Sequence, residues 1–257
     1  MEILLIALTA FFASILTFFS GFGLGTILSP VFILFFPVDL AIALTGVVHF
    51  FNNLFKLILV GKKADKGVLL RFGLTAIVAA FIGSALLISV SGMSPIHTYL
   101  LFGKEMHIYP VKLMIAILLI IFAAMDLLPY LNKLEFGRNK LILGGLLSGF
   151  FGGLSGHQGA LRSAFLIKAG LTKEAFIATG VVVACFIDFT RLSVYASKFL
   201  SSGLADNILV VVIATSAAIT GAVAGNMLLK KITLKFIQTL VAILLIIIAL
   251  ALGGGVI

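Results

Sequence analysis

Charged residues are scarce in this chain, since only 11% of its 257 residues are Asp, Glu, Lys or Arg. Soluble domains carry about 25% charged residues, so this scarcity excludes a water-soluble core. Cysteine is nearly absent as well: Cys185 is the only one, which excludes an internal disulfide and makes a thiolate metal cluster untenable. The alternating polar and apolar segments of a membrane barrel are missing. No cofactor motif is found, and no cofactor is expected.

Most of the chain consists of long apolar runs, and 62% of the residues are hydrophobic. A helix that crosses a bilayer needs about 20 apolar residues, and several runs reach that length. The sequence therefore predicts an all-α polytopic membrane protein with helices near residues 3–20, 38–60, 68–91, 111–131, 140–152, 173–197, 206–229 and 236–252. The net charge of +9 is assigned to cytoplasmic loops. We therefore expect the lipid bilayer as a partner, and no nucleic acid.

Two shorter apolar pieces, near residues 25–36 and 159–169, each follow a glycine cluster: GFGLG at 21–25 and GGLSGHQG at 152–159. Eleven helical residues cover only about 16 Å, half of a hydrocarbon core. The chain then has either ten segments, or eight crossings and two re-entrant half-helices. With ten crossings, twelve lysines and arginines fall on one side and three on the other. The positive-inside rule favours ten, with both termini outside.

The two halves of the single transmembrane domain (1–257) resemble each other. At an offset of 134, Ser29 meets Ser163 and the sequence TGVV at 45–48 meets TGVV at 179–182. One residue later, FFNNLFK (50–56) aligns with CFIDFTR (185–191). Five segments is an odd number, so repeats 1–131 and 137–257 would be inverted, as in secondary transporters that bind substrate between broken helices at mid-membrane. The alternative is a chance alignment of apolar sequences.

The glycine clusters predict an anion site. A helix N-terminus inside a membrane protein offers N–H donors and partial positive charge, and glycines let the backbone approach a ligand. We expect the turns 21–26 and 156–161 to hold the anion, through residues that include Gly25, Gly156 and Gly159. His157 and Gln158 lie inside the second break. The alternative for each glycine is tight helix packing.

Three cations inside apolar segments are further candidates, because an intramembrane cation costs about 2.5–3.5 kcal/mol to insert. Lys56 and Arg191 occupy matching positions of the repeats, and Arg162 begins the second short helix, from which it either joins the site or extends to the interface. Asp188 lies one turn before Arg191 and either pairs with it structurally or carries a coupling proton.

Four polar residues complete the candidate site. Asn53 matches Asp188 in the repeat but cannot titrate, and Asn52 precedes it. His49 lies one turn before these two residues. His49 and His157 are each either hydrogen-bond donors to an oxyanion or structural histidines. His97 and His107 fall in the 92–110 connection and are interpreted as solvated loop residues.

Two stretches carry a family likeness: GFGLGTILSPVFILFFPVDLAIALTGVV (21–48) and GGLSGHQGALRSAFLIKAGLTKEAFIATGVV (152–182). Each combines a glycine-rich break, a short helix and an A-x-x-x-T-G stretch. This layout resembles the sulfite exporter TauE/SafE family of membrane permeases. The resemblance implies a transporter of sulfite or organosulfonates, mostly an exporter, in the cytoplasmic (inner) membrane of a prokaryote. Position 157 is a histidine where the family commonly has glycine.

The expected function is therefore a non-enzymatic, alternating-access carrier of a small sulfur oxyanion. Its expected partners are that anion, a coupling proton or sodium ion, and a second copy of the chain in a homodimer. One alternative is a rhomboid-like intramembrane serine protease, because Gly153-Leu154-Ser155-Gly156 matches G-x-S-G and Ser155 with His49 would form a dyad. The other is an anion channel, in which oligomers line a pore.

Overall fold

The computed structural model describes residues 1–20, 23–128, 136–199, 205–228 and 234–257. These residues form one β-hairpin and ten helices: α1 (Glu2–Ser20), α2 (Leu24–Ile33), α3 (Val38–Val60), α4 (Lys66–Ser91), α5 (Pro110–Leu127), α6 (Leu141–Ser155), α7 (Gly159–Leu166), α8 (Lys173–Phe199), α9 (Ile208–Leu228) and α10 (Leu234–Gly253). Within α4, the segment Leu69–Gly73 is π-helical.

The predicted all-α membrane class is confirmed. By length and composition, α3, α4, α8 and α9 are each able to cross a bilayer, and shorter apolar helices accompany them. Large apolar side chains point outward from these helices; Ile58 of α3, for example, is 81% exposed. Contiguous apolar patches of this extent are rare on soluble monomers. The apolar surface of these helices is therefore the kind that lies next to lipid.

The two short helices are present where the glycine clusters predict them. The second break does not begin at Gly152, because Gly152 and Gly153 remain helical and α6 continues to Ser155. The chain turns at Gly156, whose φ of +82° lies in the left-handed region that favours glycine. Residues 21–22 of the first glycine cluster lie outside the described residues.

The 92–110 connection differs from the predicted loop. It contains an antiparallel hairpin of β1 (His97–Leu101) and β2 (Lys104–Ile108). Phe102 and Gly103 both have positive φ, as a two-residue turn of this kind requires. His97 is exposed, as expected, but His107 is half-buried and its Nδ1 contacts Thr98 Oγ1 at 3.0 Å.

Glycines spaced by four residues bring two pairs of helices into backbone contact. On α6, the contacts with α4 are Gly145 to Phe72, Gly149 to Ala76 and Gly153 to Ala80. On α9, the contacts with α1 are Gly221 to Phe11 and Gly225 to Ile15. Both pairs run parallel, since the residue numbers rise together. The first helix of each predicted repeat thus packs on the fourth helix of the other.

The path of the second half reverses at the second chain break. Helix α7 runs back along α6, since Gly152 lies beside Gln158 and Gly144 beside the ring of Phe165. Phe136, which precedes α6, donates its N–H to the carbonyl of Ala164 at 3.0 Å. The chain therefore returns to the end of the molecule where α6 began before α8 starts there.

Helices α3 and α8 cross in the middle of the molecule and run antiparallel. Gly46 lies beside Arg191, His49 contacts Asp188, and Lys56 shares a pocket with Gly180. As the residue numbers rise along α3, the numbers of the α8 residues that they contact fall, which shows that the two helices are antiparallel. This crossing brings together the polar residues of the two halves.

Candidate functional site

A buried ion pair, Asp188 with Arg191, lies at the crossing of α3 and α8, and His49 contacts its carboxylate. Nδ1 of His49 lies 2.6 Å from Oδ2 of Asp188, and both side chains are buried. Asp188 Oδ1 accepts a hydrogen bond from Nε of Arg191 at 3.0 Å and lies 2.8 Å from Arg191 Nη2. The Asp188–Arg191 contact predicted from their spacing is therefore present. The His49–Asp188 contact joins the two halves and was not predicted.

Two amides complete the coordination of the Asp188 carboxylate. Gln158 Nε2 donates to Oδ1 at 3.3 Å, and Asn53 Nδ2 donates to Oδ2 at 3.5 Å. Each carboxylate oxygen thus has a cationic or imidazole partner and an amide partner. Burying an ionised group requires such complete pairing, since an unpaired buried charge costs several kcal/mol. The carboxylate connects α3, the second chain break and α8.

A small pocket lies on one side of this ion pair. Its volume is about 40 Å³. Six polar residues line it: Thr17, His49, Asn53, Lys56, Arg162 and Ser163. Apolar side chains complete the lining, and none of the described lining residues is Asp or Glu.

Lys56 and Arg162 are the cations of the pocket, and both are buried. Arg162 Nη1 donates to Gln158 Oε1 at 3.4 Å, so its side chain turns into the molecule and does not extend to the interface. The amide oxygen of Asn52, oriented to satisfy its neighbours, accepts from Lys56 Nζ at 3.2 Å. Arg162 packs against Gly180, since a methyl group there would lie 3.4 Å from Nε.

The starts of the two short helices meet beside His49. A methyl group on Gly23, which precedes α2, would lie 3.6 Å from the backbone N of Gly159 and 3.8 Å from His49 Nε2. Leu24, the first residue of α2, lines the pocket. Gly25 packs against Gly156, with 3.1 Å between its Cβ position and the carbonyl oxygen. The positive ends of both helix dipoles therefore lie close to the pocket and the ion pair.

The remaining predicted residues lie away from the pocket, beyond the contact of His49 with Asp188. Arg191 is fully buried beside Gly46 and Gly156, away from the pocket lining. His157 is also buried: its Nδ1 contacts the Ser155 carbonyl at 3.1 Å, and its ring stacks on Phe122 with centroids 5.1 Å apart. The predicted site residues thus form two groups, one around Lys56 and Arg162 and one around Arg191.

Sequence reasoning missed the hydroxyl residues. Thr17 and Ser163 line the pocket, while Ser29 and Thr45 are buried on the Arg191 side. The alignment of the two halves contained a signal for Ser29, Ser163 and Thr45, because Ser29 aligns with Ser163 and Thr45 aligns with Thr179. Thr179 Oγ1 accepts the backbone N–H of Asp65 at 2.9 Å, so its role is to attach the α3–α4 turn.

The protease alternative requires Ser155 and His49 to form a dyad. In the structure, Ser155 Oγ donates to the carbonyl of Phe151 at 3.1 Å, and its neighbouring imidazole is that of His157 at 3.2 Å. His49 directs its Nδ1 to Asp188. The two members of the expected dyad therefore belong to different hydrogen-bond networks.

Comparison with known proteins gives one result on the family. The family model described as sulfite exporter TauE/SafE matches residues 6–252. That span includes the pocket, the ion pair and both chain breaks. No curated protein matches the chain.

Proposed function

Because the chain belongs to the sulfite exporter TauE/SafE family, a family of membrane transporters, we propose that it carries a small sulfur oxyanion across the cytoplasmic membrane of a prokaryote. Sulfite and short organosulfonates are the proposed substrates, and export is the proposed direction. The observation that carries the proposal is the pocket in which Lys56 and Arg162 are buried without a carboxylate in its described lining.

The charge of the pocket favours an anion. Lys56 and Arg162 line the same small pocket, so their like charges lie close together. Burial has removed most of the water that would screen them, so their repulsion is stronger than on a surface. An oxyanion between them replaces this repulsion by two charge-assisted hydrogen bonds, which are roughly twice as strong as neutral ones.

The neutral groups of the pocket favour the same ligand. Hydroxyl groups of Thr17 and Ser163 and the amide of Asn53 are able to donate hydrogen bonds to oxygen atoms. The nearby N-terminus of α2 adds partial positive charge. At about 40 Å³, the pocket has room for roughly three water molecules. This size suits a compact ion and is too small for a large organic solute.

The position of the pocket supports loading from the cytoplasm. Lys56 lies near the C-terminal end of α3, and the following segment contains Lys62, Lys63 and Lys66. That segment is attached beside the pocket by the hydrogen bond from Asp65 to Thr179, the residue before Gly180. Basic residues concentrate on the cytoplasmic side. An exporter must take its substrate from that side.

Alternating access is the proposed mechanism. The reciprocal packing of α1 on α9 and of α4 on α6 divides the helices into two sets, each with members from both halves. Rocking of these sets about the α3–α8 crossing would expose the site to each side in turn, as in other transporters built from inverted repeats.

The test is exchange of ³⁵S-sulfite in proteoliposomes that contain the purified protein. A carrier gives uptake that saturates with sulfite concentration and that rises when unlabelled sulfite is loaded inside. A channel gives uptake that follows the electrochemical gradient without this stimulation. Absence of saturable uptake for both sulfite and a short alkyl sulfonate would contradict the proposed substrate class.

A further inference from the structure

We propose that the transported anion has a second binding station at Arg191, on the opposite side of the His49–Asp188 pair from the Lys56–Arg162 pocket. This inference rests on the proposed anion transport and adds a second binding position along its path. The station consists of the Arg191 guanidinium, Ser29 on α2 and Thr45 on α3.

Unpartnered hydrogen-bond donors identify the station. Arg191 Nη1, Ser29 Oγ and Thr45 Oγ1 are all buried and have no hydrogen-bond partner among the described residues. A buried polar group without a partner is unfavourable, and more so when it is charged. Arg191 and Ser29 both lie beside Gly156, and Thr45 lies beside Gly25, which packs on Gly156, so the three groups indicate a site whose partner is a ligand rich in acceptor atoms.

Two glycines leave the guanidinium accessible within the protein. A methyl group on Gly156 would lie 2.8 Å from Arg191 Nη1 and 3.7 Å from Ser29 Oγ, so both donors lie around the space that a side chain would occupy. On α3, a methyl group on Gly46 would lie 3.2 Å from Arg191 Cζ. Any residue larger than glycine at these positions would reach the guanidinium before a ligand did.

Asp188 orients Arg191 through one edge of the guanidinium, and Tyr195, whose hydroxyl also neighbours Arg191, donates its hydrogen bond to the Gly153 carbonyl. Both contacts of Asp188 with Arg191 use the same oxygen, Oδ1, and lie on the Nε–Nη2 edge. The Nη1–Nη2 edge is the one that binds oxyanions end-on through two N–H groups. The hydrogen bond from Arg191 Nε to Asp188 is able to persist while the Nη1–Nη2 edge binds an anion. We therefore assign Asp188 a positioning role.

The two stations lie at different depths. On α3, Gly46 lies beside Arg191 and Lys56 lines the pocket. The backbone positions of these two residues are ten helical residues apart, a rise of about 15 Å along α3. His49 and its partner Asp188 lie between the two. An anion that moves from one station to the other must therefore pass this pair.

Thiol labelling tests the proposal without any assumption about the transported substrate. In a Cys185→Ala background, Ser29→Cys reports on the new station, and Ser163→Cys, its match in the repeat, reports on the pocket. Each variant is treated with an anionic sulfonatoethyl and a cationic trimethylammonioethyl methanethiosulfonate, both membrane-impermeant. Right-side-out and inverted vesicles are compared, with rates normalised to those of free cysteine.

We expect Ser163→Cys to react from the side that carries Lys62 and Lys63, and Ser29→Cys to react from the opposite side. At Ser29→Cys the anionic reagent should react about tenfold faster or more, because the guanidinium attracts it and repels the cation. Adding Arg191→Gln should remove this preference and leave the preference at Ser163→Cys unchanged.

Three results would overturn the second station: labelling of Ser29→Cys from the same side as Ser163→Cys, equal rates with both reagents, or a preference that survives Arg191→Gln. Thr45→Cys is a second reporter of the station in case Ser29→Cys does not fold; if both fold and neither is labelled from either side, the proposal is wrong. Failure of the proposed function would instead appear as wild-type protein without saturable anion flux, while the labelling pattern would stay interpretable.

Discussion

The imidazole of His49 on α3 and the carboxylate of Asp188 on α8 lie 2.6 Å apart at the buried centre of the molecule. Each comes from a different predicted repeat, and the pair separates the Lys56–Arg162 pocket from Arg191. Removing the Asp188 carboxylate would leave the buried Arg191 cation uncompensated, although intact buried ion pairs add little net stability. The pair therefore fixes the geometry of both stations.

Asp188→Asn should destabilise the protein more than His49→Gln. The first change leaves the buried Arg191 cation without its carboxylate, at a cost of about 3–5 kcal/mol. The second keeps a hydrogen-bond donor near Asp188 and leaves the Arg191 contact in place. The measurement is thermal unfolding in detergent, followed by reaction of the buried Cys185 with a thiol-reactive dye. Equal unfolding temperatures for the two variants would show that the carboxylate does not stabilise Arg191.

Gly149→Ala should separate α4 from α6. A Cβ at this position would overlap the backbone of Ala76, and overpacking of this kind costs about 1–3 kcal/mol. Gly92→Ala is the matched control, because its Cβ would meet no atom within 4 Å. The expected result is a lower unfolding temperature for Gly149→Ala and little change for Gly92→Ala. A helix interface that tolerates Gly149→Ala would contradict the close parallel packing.

Phe102→Asn should stabilise the hairpin without affecting transport. Phe102 has a φ of 51°, in the left-handed region, and its side chain is 97% exposed. This conformation costs a β-carbon residue about 1–2 kcal/mol, whereas Asn tolerates it and favours the first position of such turns. Thermal unfolding and sulfite exchange measure the two effects. A loss of exchange would assign Phe102 a role in transport that its distance along the chain from the site does not suggest.

Ser155→Ala should leave anion exchange unchanged. The hydroxyl of Ser155 donates to the Phe151 carbonyl of its own helix, and such bonds contribute little to helix stability. Its other contact is with His157 Nδ1 at 3.2 Å. A serine protease would lose all activity on this substitution. The measurement is exchange by purified wild type and variant at equal protein content. Exchange lost in the variant would give Ser155 a role that its contacts do not explain.

Much of the fold was predictable because apolar run length decides where membrane helices form. Helix α3 begins and ends at the predicted residues 38 and 60, and both short helices follow their glycine clusters. The hairpin was missed, although Phe102-Gly103 is a two-residue turn between strand-forming residues. Turn signals are weak when a bulky residue occupies a position that usually holds Asn or Gly.

Prediction of the site was limited by long-range contacts. The spacing of Asp188 and Arg191 on one helix face was enough to predict their pairing. The contact of Asp188 with His49, 139 positions away, depends on where α3 crosses α8, which periodicity does not encode. The sequence likewise left open whether Arg162 joins the site, because its burial depends on the path of α7 back along α6.

The central claim is that Lys56 and Arg162 bind the transported anion. The most direct measurement is the concentration dependence of ³⁵S-sulfite exchange for Lys56→Gln and Arg162→Gln, beside Lys104→Gln as a control on the exposed hairpin. Each charge-assisted hydrogen bond is worth about 1.5–3 kcal/mol. We therefore expect each pocket variant to lower the ratio of maximal rate to half-saturation concentration by roughly tenfold or more, and Lys104→Gln to match wild type. Wild-type exchange in both pocket variants would contradict the account.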